Sequence, residues 1–179
     1  MNPLDRFRIE FGSLGEGEHE FQFEINDKFF EQFENSPIEH GSVDVLVTVN
    51  RDEQNMMLVD FTMEGTVTLP CDRCAEDLEL EVSGYNELIV KFGEAHEEDE
   101  DVVVLSPKEH ALNVAQYIYE FIALMIPLRN VHPDDEQGNS TCDAEALERL
   151  EKLRVHEANE EEEHPVDPRW DILKNINLN

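Results

Sequence analysis

The chain has 179 residues, 40% hydrophobic and 31% charged, with 43 acidic against 13 basic side chains and a formal net charge of −30. That length suits one domain with a structured tail, and ten Phe residues help supply its core. So negative a surface disfavours unaided binding to phosphate backbones and suits basic partners or plain solubility. The longest apolar stretch, residues 121–128, falls far short of the roughly 20 residues that span a bilayer. Three cysteines do not make a disulfide framework, and a reducing cytoplasm is the expected location.

In chain order, residues 6–11 and 18–25 alternate polar and apolar side chains, with Phe21, Phe23 and Ile25 on one face. That period of two predicts half-buried strands joined by a turn at residues 12–17. Phe29, Phe30 and Phe33 then fall at helical spacing in residues 26–35, with Asn26 or Asp27 as cap and Pro37 beyond the end. Val43, Val45, Val47 and Val49 alternate strictly, and the polar residues 52–55 predict a hairpin turn. The return strand runs through Met57, Val59, Phe61 and Met63, with a bulge or bend expected at Gly65. Leu78, Leu80 and Val82 mark another strand, and Leu88, Val90 and Phe92 one more after Gly84.

Residues 94–101 are dense in carboxylates and read as a mobile loop, after which residues 102–105 can pair back onto the sheet. Asn113 with Gln116 three residues on predicts a capping box. The helix it opens carries Val114, Ile118, Phe121, Ile122 and Met125 on one face and ends at Pro127. Thr141 or Asp143 can cap a further helix bearing Leu147, Leu150 and Leu153. The expected organisation is an α+β domain over residues 1–155, an acidic linker over 156–166 and a short helical tail over 167–179. Its sheet is expected to be an antiparallel meander of about six or seven strands covered by a few helices. The tail holds the single Trp, Trp170, and either docks on the body or serves a partner.

Cys71-Asp72-Arg73-Cys74 is the strongest chemical motif. A tight turn at C-x2-C spacing brings two thiolates onto one tetrahedral centre. His132 and Cys142, in the loop after the helix, can complete a Cys3His structural zinc site, worth on the order of 10 kcal/mol to this region. Plain reduced thiols are the competing reading, since H-x9-C is looser than standard zinc modules. A thioredoxin-like redox pair is disfavoured, because strands flank the motif on both sides. Arg73 either pairs locally with Asp72, Glu76 or Asp77 or is presented at the knuckle tip. Sequence signatures of nucleotide-binding loops, serine hydrolases and zinc proteases are absent, so an enzyme is not expected.

Three stretches together carry a resemblance: residues 67–74 with their C-x-R-C; residues 120–128 leading to His132 and Cys142; and Asp167-Pro168-Arg169-Trp170 near the C-terminus. In order and spacing they resemble the large ribosomal RNA subunit accumulation protein (YceD) family, from about Val43 onward. The resemblance implies a role in 23S ribosomal RNA synthesis, processing or accumulation, and family genes often adjoin that of a small basic large-subunit ribosomal protein. The His132-to-Cys142 interval is longer than usual in such proteins, and the acidity is extreme.

The leading expectation is a non-enzymatic adaptor that binds a basic large-subunit ribosomal protein or pre-ribosomal particle, touching RNA indirectly, with Arg73 and Trp170 among its contacts. The alternative is direct RNA binding through a small basic patch of Arg73, Arg129 and Lys91. A third class would hold Mg²⁺ in the acidic loop for catalysis, but a catalytic pair needs fixed geometry.

Overall fold

The computed structural model describes residues 2–51, 56–93 and 102–154. The expected turn at 52–55, the acidic loop at 94–101, the linker at 156–166 and the tail with Trp170 lie outside the described residues. Contacts divide the chain into two units, Met1–Asp143 and Ala144–Asn179.

The first unit is built on a five-stranded sheet: β2 (Gly17–Ile25), β3 (His40–Arg51), β4 (Met56–Pro70), β5 (Asp77–Phe92) and β6 (Val102–Leu105), in that spatial order. The first four form the antiparallel meander that their alternation predicts. The register carries Phe21 opposite Val47, Val47 opposite Phe61, and Phe61 opposite Asn86. Val43, Val45, Val47, Val49, Met57, Val59, Phe61 and Met63 are all buried on one face.

The meander expectation needs three corrections. The fifth strand, β6, runs parallel to β5, so the sheet is mixed. The two strands expected on either side of Gly84 are one continuous strand of 16 residues. The first expected strand, residues 6–11, shrinks to β1 (Arg8–Ile9) between two 3₁₀ turns. It pairs with β7 (Leu112–Asn113) in a separate two-stranded sheet.

The glycines explain part of this. The pairing Val43 with Gly65 and Asp44 with Glu64 runs on without an extra residue, so Gly65 makes no bulge. A Cβ there would lie 2.2 Å from the Ser42 carbonyl oxygen, and glycine is needed because the neighbouring strand passes so close. At Gly84 a Cβ would lie 2.4 Å from Met125 Cε. The glycine makes room for helix α2 (Ala115–Met125) instead of ending the strand.

Helix α2 covers the apolar face of the sheet. Val114 just before it and Ile118 and Ile122 within it are fully buried, Phe121 packs edge-on against Phe61, and the helix stops before Pro127. The capping box does not form. Asn113 is committed to the β7 ladder; its side chain accepts the Ala115 N–H and donates to the Leu4 carbonyl, while Gln116 reaches Glu120 instead. Helix α1 is only four residues, Asp27–Phe30. Asp27 turns away to accept the Gly41 N–H, and Asn35 adopts a φ of 60° shortly before Pro37. Its Phe29 and Phe30 are nonetheless buried, and Phe33 stacks on Tyr119 of α2 at 4.0 Å between ring centroids.

Of the second unit, helix α3 (Ala144–Leu153) is described. It buries no residue, and its surface carries i,i+4 ion pairs between Glu145 and Arg149 and between Glu148 and Lys152. No described helix is long and apolar enough to cross a membrane.

Candidate metal centre

The β4–β5 hairpin ends in the C-x2-C turn, between Pro70 and Asp77. Two backbone bonds shape it: the Cys71 N–H donates to the Glu76 carbonyl, and the Ala75 N–H to the Cys71 carbonyl. Ala75 takes a φ of 61°, a left-handed conformation that a non-glycine residue adopts at a cost of about 1 kcal/mol. That strain lets the chain reverse directly after the second thiol. The Arg73 N–H points back at Cys71 Sγ at 3.5 Å, as a backbone donor does towards a thiolate.

The other two candidate ligands arrive from the segment after α2. Asp72 fastens that segment from both sides: its N–H donates to the Asn130 carbonyl at 2.7 Å, and its carboxylate accepts the Asn130 N–H at 2.6 Å. Two residues on, His132 donates from Nε2 to the Asp77 carbonyl at 3.0 Å. A carbonyl can only accept, so this bond fixes the ring and leaves Nδ1, 3.4 Å from Cys74 Sγ, to face the cysteines. The long interval to Cys142 folds on itself. Asp134 bridges Ser140, Asp135 accepts the N–H groups of Gln137 and Asn139, Gly138 turns at a φ of 82°, and Thr141 Oγ1 donates to the Pro133 carbonyl. The extra residues of H-x9-C form this small closed loop, and its two ends are side by side.

Cys71, Cys74, His132 and Cys142 therefore converge, with their ligand atoms all within 4.8 Å of one another. Zinc–sulfur bonds of about 2.3 Å and zinc–nitrogen bonds of about 2.0 Å imply tetrahedral edges of roughly 3.8 Å between sulfurs and 3.5 Å from sulfur to nitrogen. The Cys71–Cys142 sulfur separation is 3.9 Å and the Cys74–His132 separation 3.4 Å. All three cysteines are free thiols, and the 3.9 Å edge is far beyond a disulfide of about 2.05 Å. Thiolate and imidazole donors select a soft or borderline ion over Mg²⁺ or Ca²⁺. Four protein donors leave no open position, which is the mark of a structural centre.

The electrostatics agree. Burial pushes the Cys71 thiol up, but N–H groups of Arg73, Cys74 and His132 outweigh it and bring the thiol from 9.0 down to about 6. Burial opposes charge on His132, yet the Asp77 carbonyl and the Cys71 and Cys74 sulfurs hold the imidazole above its ordinary 6.5. Both shifts describe a site that favours thiolate next to positive charge.

Arg73 is half-buried and donates from Nη1 to Ser140 Oγ at 3.0 Å, and Ser140 Oγ also accepts the Cys142 N–H. It thus ties the first pair of ligands to the last. Of the basic patch in the RNA-binding alternative, Arg73 lies in the knuckle and Arg129 adjoins it, but Lys91 lies at the far end of β5 from Asp77, about 46 Å along an extended strand. Sequence reading overlooked Asp72, Asn130 and Ser140, which position the ligands. Asp72 lies inside the motif and is the one of the three that the sequence signals.

The family model for the large ribosomal RNA subunit accumulation protein YceD matches residues 59–177, which takes in all four converging residues. The chain belongs to this family. No curated protein and no solved structure matches it. The YceD name places the chain with the accumulation of large-subunit ribosomal RNA. The family match begins within β4, so the knuckle and α2 lie inside it, while β2 and β3 lie outside.

Proposed function

We propose that this YceD-family chain is a non-enzymatic, cytoplasmic accessory protein in 23S ribosomal RNA accumulation, which acts by binding a basic large-subunit ribosomal protein. The observation that carries this reading is a net charge of −30 in a chain of that family. Such a field accelerates encounter with a basic protein and opposes contact with naked RNA. Of the three basic residues considered for such contact, Lys91 lies at the opposite end of β5 from the knuckle that holds Arg73.

Zinc is the proposed resident ion of the Cys71, Cys74, His132 and Cys142 centre. It would hold the end of the β4–β5 hairpin to the segment after α2, giving a rigid body from which a partner can be bound. Trp170, within the matched residues, is the contact assigned to the tail in this reading.

The test is capture of the tagged protein from native cells at low salt, with and without RNase, followed by identification of what is retained. A basic large-subunit ribosomal protein that survives RNase and is released by salt is the expected result. Ribosomal components present only without RNase would mean that the contact runs through RNA, and the protein-binding reading would fail.

A further inference from the structure

Among the described residues of the first unit, α2 and the aromatic segments cover one face of the main sheet. The opposite face is exposed where charge is densest. On β2 it presents Glu18, Glu20, Gln22 and Glu24, all exposed. The register sets Glu24 opposite Asp44 and Asp44 opposite Glu64, so three carboxylates stand in one row across three strands. Like charges directly opposite one another destabilise a sheet, and no ion pair among the described residues neutralises any of the three. A groove of about 840 Å³ runs along this row, lined by Glu24, Asp44, Glu64 and Leu46, and it reaches Phe23 and Arg6 at the border of the sheet.

That border is β2 itself. It is the terminal strand of the sheet, nine residues long, and no described strand pairs with its outer side. Phe21 and Phe23, which point to the covered face, stay half-buried while Val45, Val47 and Val49 beside them on β3 are buried. A missing neighbour at the edge accounts for the difference. Among the described residues, the edge therefore offers three complementary things: an unpaired backbone ladder, half-covered apolar side chains on one face and carboxylates on the other.

We propose that the free edge of β2 is a docking site for an extended basic segment of a partner protein, which adds to the sheet as a further strand. Strand addition supplies main-chain hydrogen bonds, while alternate side chains read the two faces. The segment would carry Lys or Arg at alternate positions over Glu18, Glu20 and Glu24, and apolar residues between them over Phe21 and Phe23. The long side chains extend towards the Asp44 and Glu64 row. This rests on the reading that the partner is basic, and it names the surface and the conformation in which the partner binds. Charged edges also serve simply to prevent strand-to-strand aggregation, and the test separates the two roles.

The probe is a labelled nine-residue peptide of alternating lysine and valine, titrated into the full chain and followed by fluorescence anisotropy. Replacing Glu18→Gln, Glu20→Gln and Glu24→Gln together is expected to weaken binding about tenfold. The same number of neutralisations elsewhere on the surface, at Glu31, Glu34 and Glu109, should change it less than about twofold. Peptides N-methylated at alternate residues, in the two possible frames, distinguish a ladder from bulk attraction: one frame should lose binding and the other keep it. Equal loss in the two triple variants, or equal binding of both methylated peptides, overturns the proposal. Unchanged peptide binding with new self-association of the β2 variant would mean that the carboxylates only guard the edge, which also overturns it. The capture experiment keeps this apart from the parent reading. If the β2 variant still captures the basic protein that the native chain captures, the docking site is wrong and the partner reading stands. If the native chain binds the peptide yet captures no basic protein from cells, the partner reading fails and the site stands.

Discussion

The knuckle end of the first unit and the β2 border are built in opposite ways. At the knuckle, four donor atoms from three stretches of chain meet within 4.8 Å, held by backbone bonds from Glu76, Asp77 and Asn130. Losing one donor there spoils the whole arrangement. Along β2, β3 and β4 the carboxylates are spread over a regular sheet whose register places them, and each contributes a small share of a field. Chemistry concentrated in a point depends on geometry, whereas chemistry distributed over a face depends on number and salt. The two regions should therefore respond very differently to perturbation.

The largest expected effect is loss of the proposed zinc ion. Structural zinc contributes on the order of 10 kcal/mol in small metal domains, so Cys142→Ser or a strong chelator should lower the melting temperature of the chain sharply. Glu64→Gln should leave it near its native value. A thermal melt with and without chelator checks both, and equal melting of native and chelated protein would remove the contrast. Next in size is Asp72→Ala, which deletes a charge-assisted bond to the Asn130 N–H at 2.6 Å and should cost about 1–3 kcal/mol, read by denaturant titration.

Neutralising the Glu24, Asp44 and Glu64 row with the isosteric amides should do the reverse. Relief of like-charge pairs should stabilise the chain by up to about 1 kcal/mol at low salt. The gain should shrink as ionic strength rises and the Debye length falls towards about 3 Å at 1 M. A gain that persists in high salt would mean that the row is not electrostatically strained. The smallest effect concerns Asp135 in the loop between His132 and Cys142. N–H groups of Asn139, its side-chain amide and Gln137 hold the Asp135 carboxyl below its ordinary 3.8. A depressed folded pKa gives stability that is present above the unfolded value and lost as the pH falls through the folded one. The loop contacts should thus be unchanged from neutral pH down to about 4 and weaken below it, as the Asn139 amide signal in an NMR pH titration would report.

Much of this was legible in the sequence. Strict alternation at Val43, Val45, Val47 and Val49 predicted a strand and its buried face, because a period of two has only one sheet solution. The stripe of α2 and its stop at Pro127 followed from the 3.6-residue period. What alternation cannot give is what lies beside a strand: Gly84 read as a break because its role, clearing Met125, depends on the helix above it. The parallel direction of β6 against β5 is likewise something that the alternation within either strand does not encode.

The candidate site divides in the same way. C-x2-C identified Cys71 and Cys74 through their spacing, and His132 and Cys142 followed from their place in the loop after the helix, which returns towards the same strand end. Their convergence depends on a loop closure that spacing alone argued against. Asp134, Asp135 and Gly138 supply that closure through turn chemistry spread over several residues. The row of Glu24, Asp44 and Glu64 was hidden for a different reason. Each was visibly on the polar side of its strand, but only the register aligns the three.

The most direct test is native mass spectrometry of the full chain, purified without chelators, beside its Cys142→Ser variant. One zinc ion per native chain, and its loss or sharp weakening in the variant, is the predicted result. A native chain that takes up no zinc when the ion is supplied would contradict the four-ligand centre and leave three reduced thiols and a histidine packed together without a metal.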